Sequence, residues 1–103
     1  MMALPPKDLI TIATPDGPEQ IYAHVIGRFA VHPRLKGEGY TVTHRRTGYA
    51  LNPRVAFQTF AEAQRCAEFF QTNMRGRDTS DPDQAYHKLQ RVWDAWATLQ
   101  RAG

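Results

Sequence analysis

The run "DLITIAT" at residues 8–14 is short and β-branched, and "PDGP" at 15–18 supplies turn residues directly after it. Together they predict a strand and a reversal. In "IYAHVIGRFAVH", residues 21–32, Ile21, Ala23, Val25, Phe29 and Val31 fall on odd positions. Tyr22, His24, Arg28 and His32 fall on even ones, with Ile26 as the exception. Alternation of this length predicts one long, half-buried strand. Gly27 inside it marks a bulge, a bend or a close-packed neighbour. "HPRLKGEG" at 32–39 breaks the pattern with a proline and two glycines and reads as a loop. "YTVTHRRTGYALN", residues 40–52, then predicts a hairpin with arms at 40–45 and 48–52 and Thr47 and Gly48 in its turn. Tyr40, Val42 and His44 share one face of the first arm, Arg45 projects from the other, and Arg46 lies at the apex. Pro53 ends the ladder.

Beyond residue 58 the period changes. Thr59 with Glu62 matches a capping box, and Phe60, Ala63, Ala67, Phe70 and Met74 recur at helical spacing. Arg75 and Gly76 form a C-terminal signal. Phe69 lies off that stripe, which makes it a candidate exposed anchor. After the polar linker "RDTSD", Asp81 and Pro82 read as the cap and first residue of a second helix. Its stripe is Ala85, Leu89, Val92, Trp96 and Leu99, widened by Tyr86 and Trp93.

The expected fold is therefore α+β: a three- to four-stranded antiparallel meander followed by two C-terminal helices, in a single domain over residues 1–103. The first helix is expected across one sheet face, with Phe60, Phe70 and Met74 against Val25, Phe29 and Val31. An open antiparallel sheet leaves its other face to water, and that face is expected to carry His24 and Arg28. The second helix, with Trp93 and Trp96, either completes the core or meets another chain.

Composition narrows the class. With 42% hydrophobic and 22% charged residues, the chain has the balance of a folded globular protein. No apolar run approaches the ~20 residues that span a bilayer. "MMALPPKDLI" has a charge and two prolines where a signal peptide needs an apolar stretch. Cys66 is the sole cysteine, as in a reducing compartment, so the expected location is cytoplasmic and no membrane is expected as a partner.

Charge is unevenly spread. Residues 1–19 carry Lys7 against Asp8, Asp16 and Glu19, a net of −2. Residues 20–58 carry Arg28, Arg34, Lys36, Arg45, Arg46 and Arg54 against Glu38, a net of +5. The remainder balances, with six basic and six acidic side chains. The whole surplus of +3 thus resides in the central segment.

Catalytic constellations are missing from the pattern. His24, His32, His44 and His87 show no metal-ligand spacing, and zinc needs about four ligands at close range. Cys66 falls beside the apolar stripe of a helix, where a cysteine acts as a small hydrophobe. Between residues 20 and 58 the strand region offers Glu38 as its one acid, and "GEG" at 37–39 lacks the lysine and following helix of a phosphate loop. No enzymatic activity, cofactor, metal or small-molecule substrate is expected. The cationic segment carries the functional expectation instead. Guanidinium groups fit carboxylates and phosphates through two parallel hydrogen bonds, and Tyr22, Tyr40 and Tyr49 can stack or fill pockets. The expected contact residues are Arg28, Arg34, Lys36, His44, Arg45, Arg46, Tyr49 and Arg54. The competing expectation is a set of solvated side chains that keep sheet edges unpaired.

Residues 40–70 also resemble a pattern of small accessory proteins of phages and plasmids. There a hairpin reading aromatic-x-V-T-H-x-x-T-G precedes F-x-T-x-x-E-A at the start of a helix. The matching residues are Thr43, His44, Thr47, Gly48, Phe57, Thr59, Glu62 and Ala63. This size class includes proteins that inhibit CRISPR–Cas complexes. The resemblance implies a mobile-element protein that blocks a protein complex of a bacterial defence system by occupying one of its surfaces. The order of strands and helix is similar, too, to the arm-type DNA-binding domains of phage integrases, which implies nucleic acid as the alternative partner. The loop at 32–39 and the second helix depart from that pattern.

Overall fold

The computed structural model describes residues 4–52, 55–74 and 81–102. Four strands, β1 (Lys7–Thr14), β2 (Gly17–Ile26), β3 (Phe29–Pro33) and β4 (Tyr40–His44), precede two helices, α1 (Phe60–Asn73) and α2 (Pro82–Ala102). The strands form one antiparallel sheet in the order β1-β2-β3-β4, and α1 packs against β3 and β4. This is the α+β meander with two following helices that the pattern predicts.

The long strand expected over 21–32 is two strands. Gly27 and Arg28 form a tight turn between them, with Ile26 opposite Phe29. Gly27 has φ +59 and Arg28 has no positive φ, the combination of a type II′ hairpin with glycine at its first central position. Such a turn reassigns the faces. His24 and Ile26 pair with Val31 and Phe29 and join the α1 side, while Val25 pairs with Ala30 on the other side. Val25 therefore does not meet α1 as expected. His24 does, edge-on to Phe60 at 5.0 Å between ring centroids, with Nδ1 donating to the Pro5 carbonyl at 2.6 Å. The expected open face carrying His24 and Arg28 does not form.

Each sheet face has its own core. Phe29, Val31 and Val42 pack with Ala63, Cys66, Ala67 and Phe70 of α1, with Met74 at its C-cap, and with Leu89 and Val92 of α2. Phe70 is fully buried, edge-on to Phe29 at 5.6 Å; truncating a phenylalanine so placed costs about 3–5 kcal/mol. Phe69 is not an exposed anchor: it is half-buried against Trp96, with centroids 5.4 Å apart. Trp93 packs on Phe57 and Phe70. On the opposite face Ile10, Ile12, Ala23 and Ala30 form a second buried cluster flanked by Ile21 and Val25.

That second face is enclosed because the sheet curls. Beyond β4, residues 45–48 form a loop in which the Gly48 N–H donates to the His44 carbonyl and the His44 N–H to the Tyr49 carbonyl, both at 2.8 Å. Gly48, at φ +77, lies against β1, and the Ala13 N–H donates to its carbonyl at 2.9 Å. A Cβ on Gly48 would sit 3.0 Å from both the Ala13 nitrogen and the Thr11 carbonyl oxygen. At that φ a side chain is strained, and its Cβ would press on the β1 backbone. The two outer strands of the sheet are thereby joined at one point.

The return arm expected over 48–52 is less regular than a strand. It touches β4 through one isolated bridge, Thr43 with Ala50, and a second, Tyr40 with Phe57, follows beyond it. The helix starts are as expected. Thr59 Oγ1 accepts from the Glu62 N–H, and Asp81 Oδ1 accepts from the Asp83 and Gln84 N–H groups, satisfying donors that a helix start leaves open. Pro53, Arg75 and Gly76 lie outside the described residues. No described helix is long and apolar enough to cross a membrane.

Candidate functional site: an arginine-lined groove beside β1

Where the closure at Gly48 ends, an open groove of about 360 Å³ begins, lined by Leu9, Ile10, Thr11, Gly27, Arg28, Arg45 and Arg46. One wall is the outer edge of β1. The other is made by the β2–β3 turn and the loop after β4. Arg28 and Arg45 meet because adjacent strands bring their turns to the same end of the sheet, and the Arg45 N–H donates to the Arg28 carbonyl at 2.9 Å. The Arg45 guanidinium donates to the Gly27 carbonyl at 2.8 Å and reaches the Asp8 carboxylate at 3.5 Å. Both partners of that ion pair are well exposed, so the pair contributes at most about 1 kcal/mol to stability.

The Gly27 turn is held from the helix side as well. The Arg28 N–H donates to Gln71 Oε1 of α1 at 2.8 Å. A Cβ on Gly27 would overlap the Gln71 side chain. Arg28 is consequently presented by a turn that is fixed at both its backbone and its neighbour. It is half-buried, whereas Arg46 is exposed.

The expected contact residues thus separate into groups. Arg28, Arg45 and Arg46 come together. Arg34 and Lys36 belong to the loop at the far end of β3, five residues away along the strand, which is roughly 17 Å at ~3.3 Å per residue. The Arg34 N–H closes that loop onto the Gly39 carbonyl at 3.0 Å. Tyr49 is exposed but faces elsewhere, in a second cleft of about 410 Å³ that Ala50, Leu51 and Asn52 form with Tyr86, Leu89 and Gln90 of α2. Arg54 lies outside the described residues.

His44 is a correction. It is fully buried, with its ring 5.5 Å from Phe29 and Nδ1 2.9 Å from Thr47 Oγ1. It shares the face of Val42, which points into the core, so it cannot touch a partner. Its role is to hold the loop that presents Arg45 and Arg46.

Inside the curl, His32 and Thr43 form a buried polar pair. The Pro33 carbonyl can only accept, so His32 Nδ1 carries the proton and donates to it at 2.8 Å. Nε2 then accepts from the Thr43 hydroxyl at 2.8 Å. Burial pushes the His32 pKa below 6.5, against a smaller upward pull from the Pro33 carbonyl. Burial also pushes the Cys66 thiol up to about 12, which removes it as a nucleophile at neutral pH. Among the described residues no group of three or more His, Cys, Asp or Glu side chains is placed to hold a metal ion.

Sequence reasoning found one wall of the groove and missed the other. Leu9, Ile10 and Thr11 carry no charge signal, and their position beside Arg46 depends on the closure at Gly48. Asp8, which meets Arg45, stands in the acidic first segment, where nothing in the pattern ties it to the later arginines. In comparisons with known proteins, no family model matches this chain, and no curated protein and no solved structure matches it either.

Proposed function

We propose that this is a non-enzymatic binding protein that occupies a surface of a macromolecular partner through the arginine-lined groove. The setting we propose is a mobile element whose product inhibits a bacterial defence complex of the CRISPR–Cas type. The observation that carries the reading is the convergence of Arg28, Arg45 and Arg46, from two separate turns, on one open groove. The setting is supported by the resemblance of residues 40–70 to phage and plasmid accessory proteins. The Arg45 guanidinium, held by the Gly27 carbonyl, loses less freedom on binding than a solvated one, which favours it as a contact point.

Phosphate fits the same groups. The second reading, a DNA-binding domain like the integrase arm-type sheet readers, calls for an open sheet face. Here α1 covers one face at β3 and β4, and the curl encloses the other, so phosphate contact would fall to the groove.

The test is capture of the native partner by tagged protein in its host, comparing wild type with Arg28→Glu/Arg46→Glu. Arg45 is left in place because it holds the Gly27 carbonyl and Asp8. The double variant is expected to melt within about 1 kcal/mol of wild type and to lose the partner. Equal recovery by the two proteins would sink the groove as the contact surface. A mobility-shift series on duplex DNA separates the second reading, which requires log affinity to fall with log salt at about −0.9 per phosphate neutralised.

A further inference from the structure

The groove runs along a strand edge, and the ladder register tells which backbone groups face it. The Val25 N–H donates to the Pro6 carbonyl, so in the β1–β2 register, with Asp8 opposite Ala23 and Ile10 opposite Ile21, the even residues of β1 bond to β2. The odd residues turn their N–H and C=O groups outward. Ala13 spends its outward N–H on Gly48. Leu9 donates its own to Asp8 Oδ1 at 2.8 Å. Leu9 and Thr11 line the groove, and the Leu9 carbonyl and the Thr11 N–H have no hydrogen-bond partner among the described residues.

We infer that the occupant of the groove is an extended, acidic peptide segment of the partner protein, added to β1 as a further strand. Edge addition draws its affinity from main-chain hydrogen bonds and its selectivity from side-chain pockets. Here the outward groups of Leu9 and Thr11 supply the first, and Arg28, Arg45 and Arg46 supply the second by charge complementarity. The protein itself shows the recognition on a small scale. The Asp8 carboxylate takes the Leu9 N–H with one oxygen and the Arg45 guanidinium with the other. It occupies the places that a peptide carbonyl and an acidic side chain would take, and in doing so shields the edge from unwanted pairing. The groove spans β1 from Leu9 to Thr11, room for about three residues of a strand rising ~3.3 Å each.

This inference rests on the groove being the contact surface, and its test separates the two. The probe is a short fluorescent peptide of alternating glutamate and valine, compared with a copy N-methylated at every amide, each titrated by anisotropy onto the whole protein. Methylation removes the backbone donors and keeps the charge. The expected result is binding of the plain peptide and a loss of roughly tenfold or more for the methylated one, the worth of one or two net hydrogen bonds. Thr11→Pro, which deletes one outward N–H and leaves the β1–β2 ladder intact, is expected to weaken the plain peptide by a similar factor while amide spectra of β2 and β3 stay unchanged. Equal binding of the two peptides overturns strand addition, as does absence of binding to wild type. If the methylated peptide binds as well as the plain one and Arg28→Glu/Arg46→Glu abolishes both, the arginine groove stands and the strand does not.

Discussion

At Cys66 and His32 the burial of a single side chain sets a measurable chemistry. Cys66 has a fully buried side chain and a thiol pKa raised to about 12. Native protein is expected to resist iodoacetamide at neutral pH and to react fully once denatured; mass spectrometry of the two samples reads the difference. Prompt native alkylation would refute the packing of α1. His32 is expected to make stability depend on pH. Its folded pKa lies below the unfolded value of 6.5, so between the two the unfolded chain binds more protons. The contribution is complete above pH 6.5 and is lost as pH falls through that window, at about 1.4 kcal/mol per unit of displacement. Urea melts between about pH 7.5 and about pH 5 should show a shallower slope for His32→Gln than for wild type. Parallel slopes would mean that His32 is not buried neutral. The pairing of His32 with Thr43 was not legible in the sequence, because it depends on register across β3 and β4. The burial of His44 was legible in principle: it alternates in step with Tyr40 and Val42, and one buried member of that set commits the others.

At the scale of the element, the helix boundaries and the strand at β4 could be read because capping and alternation are local. The hairpin at Gly27 and Arg28 could not be read from alternation alone. A two-residue turn advances the chain by an odd step between paired residues, so Phe29 and Val31 keep the odd numbering of Val25 while standing on the opposite face. Ile26, the apparent exception, was the trace of that change. Gly48 was identified for its positive φ but not for its contact with β1. The contact gives a prediction. Gly37, at φ +85, has only the Arg34 guanidinium at 3.5 Å from a built Cβ, whereas Gly48, at φ +77, would meet backbone atoms at 3.0 Å. Gly37→Ala is expected to cost about 1 kcal/mol from left-handed strain alone, and Gly48→Ala about 2 kcal/mol or more. Denaturant melts check the order. Equal costs would mean that the sheet does not close at that point.

For the whole molecule, the central segment's surplus charge does not form one flank. Among the described residues, the fold divides it between the two ends of β3 and keeps Arg28, Arg45 and Arg46 together beside the edge of β1. Charge along the chain was visible; its grouping required the closure, which joins residues some 35 positions apart in sequence, Ala13 to Gly48. Long-range contacts of this kind leave no periodic trace. The groove is therefore the place where a partner is expected to press against the protein. Amide hydrogen exchange, recorded with and without the captured partner, locates that contact directly. New protection is expected at residues 7–11, 27–28 and 45–46, with the loop at 34–39 and the outer face of α2 unchanged. Protection at 34–39 or along α2, with the groove residues exchanging as before, would contradict that expectation.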